Sequence, residues 1–255
     1  MDSVEILGVR IDRVDLEASL HVIDDLIRKD GSHQVCVPNV WSTVLMQKDQ
    51  DFKSINNRSS MAIPDGMPLV WVSRLYGQPV PERVTGADLF FGCARLSEEK
   101  GYRIFLLGST NEVLDAMSQN LIKEYPELNI AGIYSPPYKD RFSEEDNQLM
   151  IRTIHAAQPD VLWVGLTAPK QEKWIRDNLD RLEVPVAIGV GAVFDFVAGK
   201  VKRAPSWMQR LGLEWLHRFN HEPRRLWRRY LIGNTQFIWL VSHEFFRKRR
   251  ARPGS

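Results

Sequence analysis

Cysteine is scarce in this sequence, with only Cys36 and Cys93 among 255 residues. Neither belongs to a CxxC pair or to a histidine-containing metal motif, which excludes the disulfide-stapled and zinc-finger classes. Two buried thiols in a reducing, cytoplasmic compartment are expected. The N-terminus also lacks a basic stretch followed by a long apolar run, so no secretory signal is predicted.

Long apolar runs and the common nucleotide motifs are absent too. The most apolar late stretch, residues 237–241, is far shorter than the roughly 18 to 20 residues that span a bilayer. Neither GxGxxG nor GxxxxGK[ST] occurs, which argues against the standard dinucleotide and P-loop classes. The DxD match at Asp49-Gln-Asp51 lies in a polar stretch at a predicted helix end, so no metal and no cofactor are predicted.

Positive charge is in deficit over residues 1–199, which carry 20 Lys and Arg against 29 Asp and Glu, a net charge of −9. Residues 200–255 carry 14 against 3, a net charge of +11, together with half of the tryptophans. We call the first segment the acidic body and the second the basic tail. This split predicts two units, with ligand binding or catalysis in the body and docking in the tail.

Short β-branched or aromatic runs alternate with longer amphipathic segments in the acidic body. The runs predicted as strands are 33–38, 61–63, 102–107, 129–134, 160–166 and 186–190. The segments predicted as helices are 40–50, 86–100, 111–125, 143–157 and 168–182. This alternation predicts an α/β, Rossmann-like fold, with an open, mostly parallel sheet and helices on both faces. The basic tail is predicted as helices broken near Pro223 and Gly233.

Two glycine-containing turns follow predicted strands, at the sheet edge where open α/β proteins bind ligands. Gly108 and Ser109 precede a helix N-terminus, which could bind a phosphate through free N–H groups or form an ordinary βα turn. Gly189 and Gly191 end the last strand. After them, Asp195 could hydrogen-bond a ribose or cap the next helix.

A carboxylate follows the short strand 61–63. Asp65 and Gly66 lie between Pro64 and Pro68, so the loop is expected to be rigid at the carboxyl end of the strand. A carboxylate fixed in a cleft can act as a general base on a hydroxyl. The alternative is a simple Asp-Gly turn.

An arginine precedes the predicted N-terminus of helix 86–100. Thr85 is the predicted N-cap, with Asp88 completing a capping box. Arg83, just outside the helix, could bind a phosphate through its planar guanidinium or form an ion pair with Glu82 or Asp88. At the start of the predicted helix 168–182, Lys170 and Gln171 point toward the same sheet edge and could donate to a diphosphate or to sugar hydroxyls, or lie in a solvated first turn.

The basic tail contains a predicted amphipathic helix. Arg225, Arg228 and Arg229 share one face, and Leu226 and Tyr230 share another. A basic helix with aromatic residues at its boundary is typical of proteins that bind anionic membrane surfaces. Nucleic acid would be attracted by the same charge, but no helix-turn-helix, zinc-finger or RNP-like motif is present, and membrane is favoured.

Taken together and in this order, the motifs resemble the WecG/TagA/CpsF family of bacterial glycosyltransferases over nearly the whole chain. The matching stretches are 64–68, 82–88, 165–174, 189–195, 203–207, 212–216 and 222–223. The resemblance implies an inverting, metal-independent transferase in cell-surface polysaccharide biosynthesis. It would move a sugar from a UDP-sugar to a polyprenyl-diphosphate-linked saccharide, as a peripheral protein on the cytoplasmic face of the cell membrane.

Residue roles follow from the same resemblance. Asp65 matches the catalytic base, and Arg83 matches the cation that supports the leaving diphosphate. Asn39 matches an asparagine near the donor sugar, and Gln171 lies in the family's Pro-Lys-Gln-Glu stretch. Val37 stands where family members often have threonine, so the sugar is expected to be either glucose-like or N-acetylmannosamine.

The basic tail is similar to a membrane-targeting appendage that also supplies arginines to the active site. The candidates are Arg210, Arg218, Arg224 and Arg225. A homo-oligomer is compatible with the sequence. The alternative function is a non-catalytic nucleotide- or nucleic-acid-binding module on the same fold.

Overall fold

The computed structural model describes residues 1–201, 204–205, 207–208 and 212–250, apart from the side chains of residues 218, 225, 249 and 250. Its strands are β1 (Ser3–Ile6), β2 (Val9–Asp12), β3 (His33–Cys36), β4 (Met61–Ala62), β5 (Arg103–Gly108), β6 (Asn129–Tyr134), β7 (Val161–Gly165) and β8 (Val186–Gly189). The first two form an antiparallel hairpin. The other six form one sheet in the order β4-β3-β8-β7-β5-β6, and each neighbouring pair is parallel.

Helices connect these strands. Those of the acidic body are α1 (Leu16–Arg28), α2 (Val40–Leu45), α3 (Gln50–Arg58), α4 (Met67–Leu75), α5 (Gly86–Lys100), α6 (Asn111–Glu124), α7 (Glu144–Ala157), α8 (Lys170–Leu182) and α9 (Val193–Val197). Those of the basic tail are α10 (Glu214–His221), α11 (Pro223–Trp227), a π-helical turn (Arg228–Ile232) and α12 (Gly233–Arg250).

Helices cover both faces of the parallel sheet. Since successive side chains of a strand point to opposite faces, each strand contributes residues to a core on either side. On one face Ile104 and Trp163 pack among residues of α1, α5, α6 and α9. On the other face Phe105 and Leu162 pack against α7 and α8. The predicted Rossmann-like α/β fold is confirmed, as are the predicted buried thiols Cys36 and Cys93.

Local capping chemistry sets several helix starts. Thr85 caps α5 in a capping box with Asp88, as predicted. The predicted helix 40–50 is instead two helices, α2 and α3. It breaks because the Asp49 side chain accepts a hydrogen bond from Phe52 N at 3.0 Å and starts a new helix. No prediction covered the β1–β2 hairpin, α1 or α4.

The basic tail packs against the acidic body. Leu226 and Tyr230 are buried, as the predicted apolar face requires, and Phe237 and Val241 join a core cluster with the β1–β2 hairpin and α4. Glu244 of α12 accepts hydrogen bonds from Leu7 N at 3.1 Å and from the Tyr76 hydroxyl at 2.6 Å. Among the described helices, none combines the length and the apolar composition needed to cross a membrane.

Candidate active site

A cavity of about 430 Å³ lies at the carboxyl ends of β3, β4 and β8. β3 and β8 are neighbours in the sheet, but β3 is followed in the chain by β4 on one side of this pair, and β8 is preceded by β7 on the other side. Such a reversal of strand order opens a crevice in which α/β proteins bind ligands. The basic tail contributes one wall, through Glu214, Trp215, Leu226, Arg228, Arg229 and Tyr230.

The loop that carries Asp65 continues the sheet pairing beyond β4. Ile63 N donates to Cys36 O at 2.8 Å, and Asp65 N donates to Pro38 O at 3.0 Å. Gly66 then has a φ of 130°, which a residue with a side chain rarely adopts. These constraints place Asp65 beside Asn39 on the cavity wall, just before α4 begins.

The electrostatic environment of Asp65 suits a base that works near neutral pH. Burial raises the pKa of its carboxyl to about 6, against the lowering effect of Arg229. Glu214 raises this pKa further, and Arg83 lowers it. A general base is most effective when its pKa lies near the working pH, so the carboxyl is tuned by burial and by charges from both the body and the tail.

Arg83 joins the acidic body to the basic tail at the cavity. Its Nη1 donates to Glu214 Oε2 at 3.0 Å, and its Nη2 lies 3.8 Å from Asp88 Oδ2. The side chains of Arg83 and Glu214 are each 14% exposed. Asp88 also accepts from the Thr85 hydroxyl at 2.7 Å, so the helix cap and the arginine are parts of one polar network. Arg83 and Thr85 both line the cavity.

Asn39 and Gln171 place amide groups on the cavity wall. The Oδ1 atom of Asn39 caps α2 by accepting from Ser42 N at 3.1 Å, so its Nδ2 is the group that can donate to a ligand. Gln171 occupies the space beside Gly189, where an added Cβ would lie 2.9 Å from its side chain. Gly189, Gly191 and Gly66 also line the cavity.

Other predicted site residues lie elsewhere. Gly108 ends β5, two strands from β8, and Ser109 follows it. The packing against β7 explains the glycine, since an added Cβ would lie 2.5 Å from Gly165 O. Lys170 was expected to point toward the ligand, but it does not line the cavity. Its Nζ instead donates to Lys139 O and lies over the Phe142 ring.

Asp195 and the predicted tail arginines also differ from expectation. Asp195 lies inside α9, whose N-cap is Ala192, so it is neither a cap nor a lining residue. Arg224 is exposed and does not line the cavity. Arg210 and the side chains of Arg218 and Arg225 lie outside the described part of the chain.

The sequence analysis missed several lining residues. Arg228 and Arg229 reach the cavity from the tail, although only the basic face they belong to was predicted. The sequence feature that could have pointed to Arg229 is its position next to Tyr230, a residue of the predicted apolar face that is buried in the structure. Asn56 and Glu172 also line the cavity, and burial raises the pKa of Glu172 to about 7. Asn56 carries no signal of a site in the sequence, whereas Glu172 belongs to the Pro-Lys-Gln-Glu stretch of the family, in which only Lys170 and Gln171 were given a role.

No described group of three or more His, Cys, Asp and Glu side chains could hold a metal ion. The DxD carboxylates have cationic partners instead. Asp49 lies 2.6 Å from Lys173 Nζ, and Asp51 lies 2.7 Å from Arg176 Nη1. The Asp49 pair joins α3 to α8 beside the cavity.

Comparison with known proteins identifies the family. A model of the glycosyl transferase WecG/TagA/CpsF family matches residues 4–251. The chain belongs to this family. The resemblance read from the motifs is thereby confirmed, and the cavity at the carboxyl edge of the sheet is the candidate active site of a glycosyltransferase.

Three relatives share one name, N-acetylglucosaminyldiphosphoundecaprenol N-acetyl-beta-D-mannosaminyltransferase. The one from Bacillus subtilis (strain 168) is 38% identical over 184 residues, 72% of this chain and 69% of the relative. The one from Bacillus spizizenii is 33% identical over 193 residues, 76% and 72% of the two chains. The one from Staphylococcus aureus (strain MW2) is 27% identical over 249 residues, 97% and 93% of the two chains.

Proposed function

We propose that this glycosyltransferase moves a sugar from a UDP-sugar to a polyprenyl-diphosphate-linked saccharide, with inversion at the anomeric carbon. The observation that carries the proposal is the Asp65 carboxyl, with its raised pKa, in a cavity that also contains Arg83, Arg228 and Arg229. A base and a cluster of guanidinium groups are the two components that transfer from a nucleoside diphosphate requires.

In the proposed reaction, Asp65 takes the proton of the acceptor hydroxyl as its oxygen attacks the anomeric carbon of the donor. The new glycosidic C–O bond forms on the face opposite the phosphate. The old bond from the anomeric carbon to the phosphate oxygen breaks, and its electron pair leaves with UDP. The arginines stabilise the charge that develops on the diphosphate, which makes the step independent of a metal ion.

The name that the relatives share supports the proposed classes of donor and acceptor. It describes transfer of N-acetylmannosamine to an N-acetylglucosaminyl-diphosphoundecaprenol. For this chain we propose the same acceptor class in cell-surface polysaccharide biosynthesis. The donor would carry N-acetylmannosamine or a glucose-like sugar, because Val37, on the cavity wall, stands where threonine is frequent in the family.

The decisive experiment is an assay with radiolabelled UDP-sugars and a short-chain polyprenyl-diphosphate acceptor. We expect labelled lipid product with one of the two donor types, at a rate that EDTA does not lower. If no donor yields product while UDP or nucleic acid still binds, the chain is a binding module and the proposal fails.

We further propose that the basic tail contacts an anionic membrane, where the lipid acceptor is anchored. Exposed apolar side chains of the tail support this, among them Ile238 at 64% and Trp239 at 65% exposure. Arg224 and Arg228 are exposed in the same tail. Deleting residues 200–255 would be an unsuitable test, because Phe237 and Val241 belong to the core.

Surface substitutions in α12 test the membrane proposal without removing core residues. Ile238→Ser with Trp239→Ser is expected to weaken binding to phosphatidylglycerol vesicles by about tenfold or more, since each buried apolar side chain contributes roughly 1.5–3 kcal/mol. Co-sedimentation measures the loss. Leu149→Ser, at an exposed position on α7, is the control and should bind as the wild type does. Equal binding by both variants would contradict the proposal.

A further inference from the structure

One face of α4 exposes two large apolar side chains and a cation. Trp71 and Leu75, one helical turn apart, are each 53% exposed. The exposed Arg74 lies on the same face, since residues three and four apart are neighbours on a helix surface. Leu69 and Val70 bury the opposite face in the core cluster shared with α12. Residues 1–199, all of which the structure describes, contain no other pair of exposed large apolar side chains one turn apart on a helix.

The charge of this segment differs from that of the acidic body around it. Residues 66–81 contain Arg74 and no Asp or Glu, although residues 1–199 together have a net charge of −9. An anionic lipid surface repels an acidic protein, so contact is favoured where acidic side chains are absent and a basic one is present. An exposed tryptophan and leucine beside an arginine are typical of proteins that bind in the headgroup region.

The C-terminal end of α4 is fixed to the basic tail. Tyr76, the residue after α4, donates its hydroxyl to Glu244 Oε2 at 2.6 Å, and Lys248 Nζ lies 4.5 Å from the centre of the Tyr76 ring. Lys248 Nζ also lies 3.1 Å from Glu244 Oε1. A cation of the basic tail therefore lies at the end of the α4 face, and α4 and α12 approach a surface as one unit.

The N-terminal end of α4 lies at the candidate active site. Asp65 directly precedes Gly66, the N-cap of α4, and Met67 is the first helical residue and lines the cavity. With a rise of about 1.5 Å per residue, Trp71 and Leu75 lie roughly 6 and 12 Å from Met67 along the helix. An acceptor anchored in a bilayer presents its diphosphate and sugar near the headgroups, so contact at this distance would hold the cavity within reach of the acceptor.

We propose that Trp71, Arg74 and Leu75 form a membrane-contact surface of the acidic body, which binds an anionic lipid bilayer together with the basic tail. The inference rests on the proposed transfer to a lipid-linked acceptor and adds a contact outside the tail. Contacts on two helices restrict the tilt of a protein on a bilayer more than a contact on one, so α4 keeps the cavity facing the headgroups. None of the three residues lines the cavity.

Substitutions on the exposed face test the surface without removing core residues. Trp71→Gln with Leu75→Gln is expected to weaken binding to phosphatidylglycerol vesicles about tenfold in co-sedimentation. Arg74→Gln should weaken it about fivefold at low salt, and less as the salt concentration rises. The matched control is Ile122→Gln with Leu149→Gln, at exposed positions on α6 and α7. Equal binding by the two double variants would overturn the proposal.

A fluorescent label at position 75 tests the contact directly. Leu75→Cys can be labelled selectively with an environment-sensitive fluorophore, because Cys36 and Cys93 are buried. We expect its emission to shift to the blue when phosphatidylglycerol vesicles are added, with no shift for the same label on Ile122→Cys. A label at position 75 that stays in water while the protein is bound to vesicles overturns the proposal. A shift that appears without lipid as the protein concentration rises assigns the face to a second copy of the chain and also overturns it.

Transfer assays separate this proposal from the proposed function. With the acceptor embedded in phosphatidylglycerol vesicles, Trp71→Gln with Leu75→Gln should lower the transfer rate about tenfold, in line with the loss of binding. With a short-chain acceptor free in solution, the variant should match the wild type. An equal loss with both acceptors would show that the α4 face acts through the cavity and not through lipid. Absence of transfer by the wild type with either acceptor overturns the proposed function instead, and vesicle binding then still decides the surface.

Discussion

Asp65→Asn is expected to lower the rate of sugar transfer by about two to four orders of magnitude and to leave UDP binding unchanged. Asparagine has nearly the same shape as aspartate, but it cannot take a proton from the acceptor hydroxyl. The rate with radiolabelled donor and the Kd for UDP from calorimetry measure the two quantities. Retained turnover would contradict the role of Asp65 as the base.

The pH dependence of the wild type provides a control for this variant. Since burial raises the pKa of Asp65 to about 6, kcat/KM should fall about tenfold per pH unit below about pH 6, where the carboxyl becomes protonated. The residual activity of Asp65→Asn should lack this acid limb. An identical limb in the variant would assign the titration to another group.

Thermal unfolding shows whether the loss of activity has a structural cause. A carboxyl whose pKa is raised from 3.8 to about 6 on folding contributes stability when it is protonated, and this contribution is lost as the pH rises through about 6. Asparagine resembles the protonated form. We therefore expect Asp65→Asn to melt above the wild type at pH 7.5 and close to it near pH 4.

Arg83→Gln is expected to lower kcat by about two to three orders of magnitude, the usual effect of removing one donor to a developing anion. It also removes the 3.0 Å partner of Glu214, which is mostly buried, so the melting temperature should fall. The double variant Arg83→Gln with Glu214→Gln should recover stability without recovering transfer. If transfer recovers as well, Arg83 acts only by fixing the position of the tail.

The single variants Arg83→Gln and Glu214→Gln should also shift the acid limb of the pH profile of kcat/KM in opposite directions. Arg83 lowers the pKa of Asp65, so Arg83→Gln should move the limb to higher pH. Glu214 raises the same pKa, so Glu214→Gln should move the limb to lower pH. A limb that does not move in either variant would show that the Asp65 carboxyl does not control it.

Local sequence patterns were enough to predict the strands of the parallel sheet. The predicted strand 129–134 coincides with β6, and the Thr85–Asp88 capping box was predicted from its spacing. Runs of apolar residues and cap spacings act over a few neighbouring residues, so a single sequence reveals them. The β1–β2 hairpin was missed because its apolar residues are buried by α4 and by α12, which lies more than 200 residues later in the chain.

The composition of the site was predictable only in part. Motif resemblance pointed to Asp65, Arg83, Asn39 and Gln171, and all four line one cavity. The tail arginines were not resolved by the same reasoning: the candidate Arg224 lies outside the cavity, whereas Arg228 and Arg229, in the π-helical turn that follows, line it. A change in the number of residues per turn rotates every later side chain, and helical spacing alone does not foresee it.

Sequence was enough to establish the α/β class, the acidic body, the basic tail and the glycosyltransferase family, because composition, strand and helix periodicity and motif order are properties of the chain itself. Packing decided the rest. The Arg83–Glu214 contact joins residues 131 positions apart, and the pKa of Asp65 is raised by burial and adjusted by charges from both the body and the tail. Burial and the distances between charges depend on the three-dimensional fold, which shows that the basic tail also forms one wall of the candidate active site.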